Sequence, residues 1–318
     1  MHDIKILCIT PIEHIPNIKS SLKKIGNLTI IDDPSPEDLK DISTDFEVIF
    51  TNPNKSKIYI GSDLFSNWTN LKCVCTASTG TVHIDKDFLD EKGIKLISLT
   101  EEYEVLKSIS STAEHAFLLM VASLRNLISA NDSVKRDEWN YEPYVGRQLN
   151  KLKICIFGFG RLGSIFANYC KAFGAQVYIY DPYKEIPDEF IEFKNLSNDL
   201  KKMDVISIHM HVTEETKNFF NEDLFKKLKN DVLIINTARG ELIDENHLIN
   251  FLKKNKKSKI ASDVLSGEIF GFQNSELFNF SKSSNQVLLT PHIGGMTIDA
   301  QEIAYGHAVK LLEEFLKN

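Results

Sequence analysis

Gly158, Gly160 and Gly163 stand at G-x-G-x-x-G spacing directly after an apolar run, Lys153-Ile154-Cys155-Ile156-Phe157. That spacing suits recognition of a pyrophosphate. Gly158 permits a tight turn, Gly160 lets the backbone approach the phosphates, and Gly163 lets helix and strand pack closely. Arg161 and Leu162 open the helix. Its N-terminus offers free amides and a positive dipole end. The helix is expected to run to about Phe173, with Gly174 closing it, and a second strand over 175–180 ends on Asp181. Asp181 lies roughly 18 residues after the last glycine, which completes the dinucleotide-binding βαβ pattern. Its carboxylate can accept from both hydroxyls of an adenosine ribose and would repel a 2′-phosphate, so NAD is favoured over NADP.

Further polar groups sit at the ends of later strand-like runs. They are Asn236-Thr237-Ala238-Arg239-Gly240, Asp263-Val264-Leu265-Ser266-Gly267-Glu268 and Thr290-Pro291-His292-Ile293-Gly294-Gly295. Ligands of open α/β sheets bind beyond the carboxyl ends of the strands. Arg239, Glu268 and His292 are therefore delivered to one rim, beside the nicotinamide end of a dinucleotide. Taken singly, such an Arg is often a surface ion-pair partner, such a Glu is usually solvated, and a His after Pro is often a structural cap. Together, behind the glycine pattern, they form a reactive set. Ala77-Ser78-Thr79-Gly80 follows another predicted strand, and the successive amides of Ser78, Thr79 and Gly80 could cradle a carboxylate. His209 and His211 lie two apart at a strand end, with no cysteine close in sequence, and no metal site is expected there. His83, His115 and His247 read as structural or exposed.

The elements that must position these groups alternate from end to end. Strands are expected at 4–9, 28–31, 46–50, 71–76 and 94–97, then at 204–210, 231–236, 259–264 and 287–290. They are short and apolar, as in parallel sheets covered on both faces. One long helix is expected over 111–130, apolar on most faces, followed by an irregular segment over 135–150. A final helix over 297–316 has no later strand to join and is expected to pack back on the first domain. At 318 residues the chain is long enough for two domains. The expected division is 1–108 with 293–318 for one, and 109–292 for the other.

Bulk composition excludes several classes. A hydrophobic share of 42% with 25% charged residues is globular. A net charge of −7 argues against a nucleic-acid surface, and the basic cluster over 253–259 reads as the solvated end of a helix. No apolar run is long enough for a membrane span. The N-terminus enters a strand without the shape of a signal peptide. Cys8, Cys73, Cys75, Cys155 and Cys170 all lie in or beside apolar segments, as buried reduced thiols of a cytoplasmic protein would. Cys73 and Cys75 should share one face of a strand.

With these motifs in order, the chain resembles the NAD-dependent D-2-hydroxyacid dehydrogenases, a broad family that includes D-3-phosphoglycerate dehydrogenases and glyoxylate or hydroxypyruvate reductases. The segments that carry the resemblance are Gly146-Arg147-Gln148-Leu149, the glycine pattern, Asn236 to Gly240 with Leu242-Ile243-Asp244-Glu245, Asp263 to Glu268, and Pro291 to Gly295. The resemblance implies an α/β fold of two open parallel-sheet domains. A Rossmann NAD-binding domain is inserted in a discontinuous, flavodoxin-like substrate domain. It implies His292 as general acid in ketoacid reduction and base in hydroxyacid oxidation, with Glu268 holding the imidazole and favouring its protonated form. It implies Arg239 on the substrate carboxylate and carbonyl, in a role suited to a planar fork of donors. Asp263, Thr237, Ala238, His209, Gly294 and Thr112 are implied near the cofactor, and Arg161 with Leu162 near its pyrophosphate. A small anionic 2-hydroxyacid or 2-ketoacid is the implied substrate, and a homodimer the implied assembly.

Three departures stand out. His211 and Ile269 replace prolines usual in the family. Asparagines occupy the positions over 51–57 where phosphoglycerate dehydrogenases carry arginines, which leaves Lys55 or Lys57 to meet a substrate phosphate or to be solvated. D-3-phosphoglycerate dehydrogenase itself is therefore an alternative within the family. Formate dehydrogenases share the fold but carry Gln in place of the Glu at 268. A non-catalytic, NAD-sensing corepressor-like scaffold is an alternative of another class, disfavoured by retention of Arg239, Glu268 and His292.

Overall fold

Short runs of β-branched and other apolar residues form two all-parallel sheets in the computed structural model, which describes residues 4–53, 58–194, 196 and 199–317. Lys55 and Lys57 lie outside the described residues. Contacts divide the chain into two compact units, Met1–Ile109 with Gly295–Asn318, and Ser110–Gly294.

The first unit holds β1 (Lys5–Cys8), β2 (Asn27–Ile30), β3 (Val48–Thr51), β4 (Cys73–Thr76) and β5 (Lys95–Ile97), in the order β2-β1-β3-β4-β5. That is the flavodoxin-like order. Side chains alternate across the sheet. Ile6, Cys8, Val48, Phe50, Cys73 and Cys75 enter one core layer, while Leu7, Ile9, Ile49 and Val74 enter the other. Cys73 and Cys75 thus share a face. The helix Ile298–Lys317 covers that layer with Tyr305, Ala308, Val309 and Leu312. Burial pushes the thiols of Cys8 and Cys73 up to about 12, so they stay protonated and act as core hydrophobes.

The second unit holds β6 (Lys153–Phe157), β7 (Gln176–Tyr180), β8 (Ile191–Glu192), β9 (Val205–Ile208), β10 (Leu233–Asn236), β11 (Lys259–Ser262) and β12 (Val287–Leu289). Their order is β12-β11-β10-β9-β6-β7-β8. The chain builds outward from β6 to β8 on one side, then returns to place β9 on the other side of β6. The crevice at this reversal is where such sheets bind dinucleotides. Both faces are buried. Cys155, Phe157, Ile206, Ile208 and Ile234 face one layer; Ile154, Ile156, Val205, Leu233 and Ile235 face the other.

Two local features differ from the sequence reading. The helix expected over 111–130 is two helices, Ser111–Leu124 and Leu127–Val134. Asn126 takes a left-handed conformation between them, with φ of 52°, a geometry asparagine tolerates better than most residues. Its side-chain oxygen accepts from Lys259 Nζ. The Leu124 carbonyl, needed to continue the helix, accepts from the Arg147 amide at 3.4 Å. The second feature is β8, whose two exposed residues, Ile191 and Glu192, are too short a run to show a strand's periodicity. It exists because the edge of β7 pairs Tyr178 with Ile191.

Among the described residues no helix is long and apolar enough to cross a membrane, and no cluster of His, Cys, Asp or Glu could hold a metal ion. At the start of β9, buried Asp204 accepts from the Lys153 amide at 2.9 Å and from Arg147 and Lys229, each at 2.7 Å. Burial alone would raise its carboxyl; the bonds from Lys229, Lys153 and Arg147 outweigh that and hold it below the usual carboxylate range. A depressed carboxyl contributes stability that is present above its unfolded value and is lost as pH falls through the folded one. Asp204→Asn is expected to lower unfolding stability by about 1–3 kcal/mol at pH 7. The gap from wild type should shrink as denaturation is repeated at acid pH. A gap independent of pH would assign the effect to packing instead.

Candidate active site

The turn after β6 is shaped by its glycines. Gly158 has φ of 94°, and a Cβ on it would lie 2.7 Å from the His209 carbonyl oxygen. A Cβ on Gly163 would lie 2.0 Å from the Gly158 oxygen. Both positions are imposed by the protein's own backbone. Gly160 is different, because a Cβ there would meet nothing within 4 Å. Its bareness keeps space open where a ligand would approach the chain. No side chain caps the helix Arg161–Ala172, whose first turn contains Arg161, Leu162 and Gly163. The start of that helix therefore suits an anion.

Asp181 stands at the end of β7. Its carboxylate accepts the Phe159 amide at 2.8 Å and the Tyr183 amide at 3.0 Å. The group is pinned beside the glycine turn, and both oxygens keep lone pairs for further donors. His209 follows β9. Its ring packs 5.0 Å from Phe166, its Nε2 lies 2.8 Å from Ser207 Oγ, and desolvation pushes it down to about 4. The ring is therefore neutral at pH 7.

After β10, Thr237 is buried and its Oγ1 has no hydrogen-bond partner. Leaving a buried hydroxyl unpaired costs about 1–3 kcal/mol, so a ligand group at this point is favoured. Asn236 staples the turn by accepting from the Ala238 amide at 3.1 Å and donating to the Arg239 carbonyl at 2.9 Å. The Arg239 guanidinium donates to the Ala238 carbonyl at 2.6 Å. Gly158, Gly160, Asp181 and Thr237 together fit a dinucleotide: an open cradle, an anchored acceptor and an orphaned hydroxyl around one sheet end.

Gly240 joins the Arg239 turn to the next loop. A Cβ on it would sit 2.0 Å from the Leu265 carbonyl carbon, so two backbones touch there with no side chain between. The loop after β11 then gives three successive amides to three carboxylates. Leu265 donates to Glu268 at 3.0 Å, Ser266 to Glu245 at 3.1 Å and Gly267 to Glu241 at 3.2 Å. Glu245 also accepts from Ser275 Oγ at 2.9 Å and from the Leu277 amide at 3.1 Å. Held in this way, Glu268 directs Oε1 to His292, whose Nδ1–H donates to it. Both side chains remain about a quarter exposed. The contact leaves Nε2 as the ring atom available for proton transfer.

His292 has φ of 54°. A left-handed non-glycine residue costs about 1–2 kcal/mol and persists only where its surroundings hold it. Here the next two amides are tied down. Ile293 donates to Asp263 Oδ1 at 2.9 Å and Gly294 to Oδ2 at 2.7 Å. Thr290 Oγ1 adds a bond to Oδ1 at 2.5 Å. Asp263 is 2% exposed. Burial would raise its carboxyl, but bonds from His115, Thr290, Ile293 and Gly294 prevail and lower it. A Cβ on Gly294 would lie 3.2 Å from Thr112 Cγ2, which places Thr112 beside this turn.

Ser78, Thr79 and Gly80 belong to the first unit. Their carbonyls are all used: Ser78 O accepts from the Leu99 amide at 3.0 Å, Thr79 O from Thr100 Oγ1 at 2.8 Å, and Gly80 O from Ser78 Oγ at 2.7 Å. None of their three amides donates to another of the described residues. Three successive free amides are a donor set that suits an anion.

Comparison with known proteins gives this geometry a family. The model described as "D-isomer specific 2-hydroxyacid dehydrogenase, NAD binding domain" matches residues 117–294. The chain belongs to that family. It is 32% identical over 263 residues to a hydroxypyruvate reductase of Thermotoga maritima, covering 83% of this chain and 82% of that one. It is 33% identical over 250 residues to a D-3-phosphoglycerate dehydrogenase of Bacillus subtilis, covering 78% of this chain but 46% of the relative. The chain thus spans about half the length of that relative. A crystal structure of D-lactate dehydrogenase from Aquifex aeolicus, complexed with NAD and lactic acid, superposes with a TM-score of 0.81 at 28% identity, covering 98% and 95% of the two chains. The second unit therefore carries an NAD-binding domain.

His115 is structural, as its sequence position suggests, but the sequence gives no sign of its partners, nor of the roles of Glu241 and Glu245 in holding the loops. For Thr290 the one available signal is its position two residues before His292. Gly240→Ala is expected to push apart the loops bearing Arg239 and Glu268, at a cost of about 1–3 kcal/mol. Thermal denaturation should show a lowered midpoint; an unchanged midpoint would mean that the backbone contact at Gly240 is relaxed.

Proposed function

We propose that the protein is an NAD-dependent dehydrogenase that interconverts a small 2-ketoacid and its D-2-hydroxyacid. The observation that carries this reading is the Nδ1 contact of His292 with Glu268, in a loop that abuts the Arg239 turn through Gly240. Bound NADH supplies a hydride to substrate C2. His292 gives its Nε2 proton to the substrate oxygen in reduction and takes it back in oxidation. Glu268 stabilises the imidazolium through Nδ1 and fixes the ring. Arg239 offers fixed donors to the substrate carboxylate and to the carbonyl oxygen as it gains charge. Within the first unit, the free amides of Ser78, Thr79 and Gly80 offer a donor set suited to an anion.

The same reading assigns Asp181 to the adenosine ribose, Arg161 and Leu162 to the pyrophosphate, and Thr237, Ala238 and His209 to the nicotinamide half. A neutral His209 suits a position beside a cofactor that is cationic when oxidised. The five buried thiols fit a reducing, cytoplasmic setting. We also infer a homodimer, supported by the exposed apolar side chains of Leu118, Leu127, Ile128, Trp139 and Tyr141 within one unit. Light scattering should give twice the chain mass at micromolar concentration; a monomer there would count against it.

Loss of NADH absorbance across a panel of 2-ketoacids tests the activity. The panel should include hydroxypyruvate, glyoxylate, pyruvate, branched ketoacids and 3-phosphohydroxypyruvate. At least one should be reduced far above background, and NADPH should be a much poorer donor because Asp181 repels its phosphate. His292→Ala should abolish turnover while NADH still binds. Full activity in that variant would overturn the assignment.

A further inference from the structure

A chain of hydrogen bonds behind His292 reaches the helix Ser111–Leu124, whose Thr112 also lies beside the Gly294 turn. His115, in the helix Ser111–Leu124, places Nε2 2.9 Å from Thr290 Oγ1 and 3.3 Å from Asp263 Oδ1. The directions follow from proton counting. Thr290 has one hydroxyl proton, and the 2.5 Å contact gives it to Asp263 Oδ1. The lone pair of Thr290 must then accept, so His115 carries its proton on Nε2. The chain runs His115 Nε2–H to Thr290 Oγ–H to the Asp263 carboxylate. That carboxylate holds the amides of Ile293 and Gly294. Nothing in this arrangement requires His115 to touch a ligand.

We infer that His115, acting through Thr290 and Asp263, is a positioning residue that holds the left-handed turn at His292 and so keeps its imidazole on Glu268. The argument joins two observations. The turn carries backbone strain at His292, and every bond that restrains the next two amides converges on one buried carboxylate. Strain of this kind relaxes when its restraint is loosened. Without the His115 donor, Thr290 loses an acceptor role that fixes its rotamer. Oδ1 of Asp263 is then free to turn toward other donors, and the clamp on the amides weakens. The Glu268 side of the pair does not depend on His115, because that loop is held by Glu241 and Glu245. The effect should fall on His292 alone.

This inference rests on the proposed dehydrogenase reading for its kinetic test but not for its structural one. His115→Leu keeps the volume and removes the donor, and His115→Gln restores an N–H near the Nε2 position. In His115→Leu, kcat for the preferred ketoacid should fall at least about tenfold, toward the ~100-fold cost of a 1 Å misplacement, while NADH affinity stays within about twofold. His115→Gln should recover most of the rate. Thr290→Val should repeat the loss and Thr290→Ser should not, which covers the case in which His115→Leu fails to fold. Crystal structures of the NADH-bound variants should show His292 leaving the left-handed region, and its contact with Glu268, in Leu and Val but not in Gln and Ser. Wild-type kcat in His115→Leu, equal losses in Leu and Gln, or an undisturbed turn in the Leu and Val structures would overturn the inference. If the wild type reduces no ketoacid, the dehydrogenase reading fails, and the variant structures alone decide the role of His115.

Discussion

Carboxylates that accept backbone amides hold the second unit's strand ends in place. Asp181 takes the amide of Phe159, Asp204 that of Lys153, and Asp263 those of Ile293 and Gly294. Glu268, Glu245 and Glu241 take three amides in a row. Such charge-assisted bonds contribute about 1.5–3 kcal/mol each. Apart from the bond of Leu265 to Glu268, which lies within one loop, they connect positions more than 20 residues apart, so they fix one loop relative to another. A helix cap or a tight turn could not do this, because both are local.

The reacting groups inherit their geometry from that framework. Glu268 is anchored by its own loop amide and by two neighbouring acids, and His292 is anchored through Asp263. The contact between them needs both anchors, since neither side chain is buried deeply enough to be fixed by packing alone. Strain at His292 is consistent with this division: the backbone is bent where chemistry needs the ring, and buried polar groups hold the bend. Gly240 adds the third partner by letting two loop backbones meet without a side chain between them.

The cofactor region follows a different rule. Two of its glycines are required by internal contact, and a third leaves space that the protein does not fill. That distinction separates the glycines needed for folding from the one whose bareness serves a ligand. The unpartnered Oγ1 of Thr237 points to the same conclusion from the other side of the sheet end. A folded chain tolerates an unsatisfied buried hydroxyl most readily where a bound molecule completes it.

Sequence alone determined the features that depend on near neighbours. Strand positions followed from short apolar runs, the glycine turn from its spacing, and the placement of Arg239, Glu268 and His292 at strand ends from the alternation of strand and helix. Each is decided within a few residues, where steric and periodic rules act. The strand orders were expected from family resemblance, since periodicity does not specify which strands pair. Tertiary structure alone decided the break at Asn126, which depends on Lys259 and Arg147, and the pairing of β8, which depends on the free edge of β7. It also decided that His115 meets a hydroxyl 175 residues away and that Glu241 and Glu245 clamp the loop bearing Glu268. A side chain's role in such a network is set by which donor the fold brings within hydrogen-bond reach, and no local pattern records that distance.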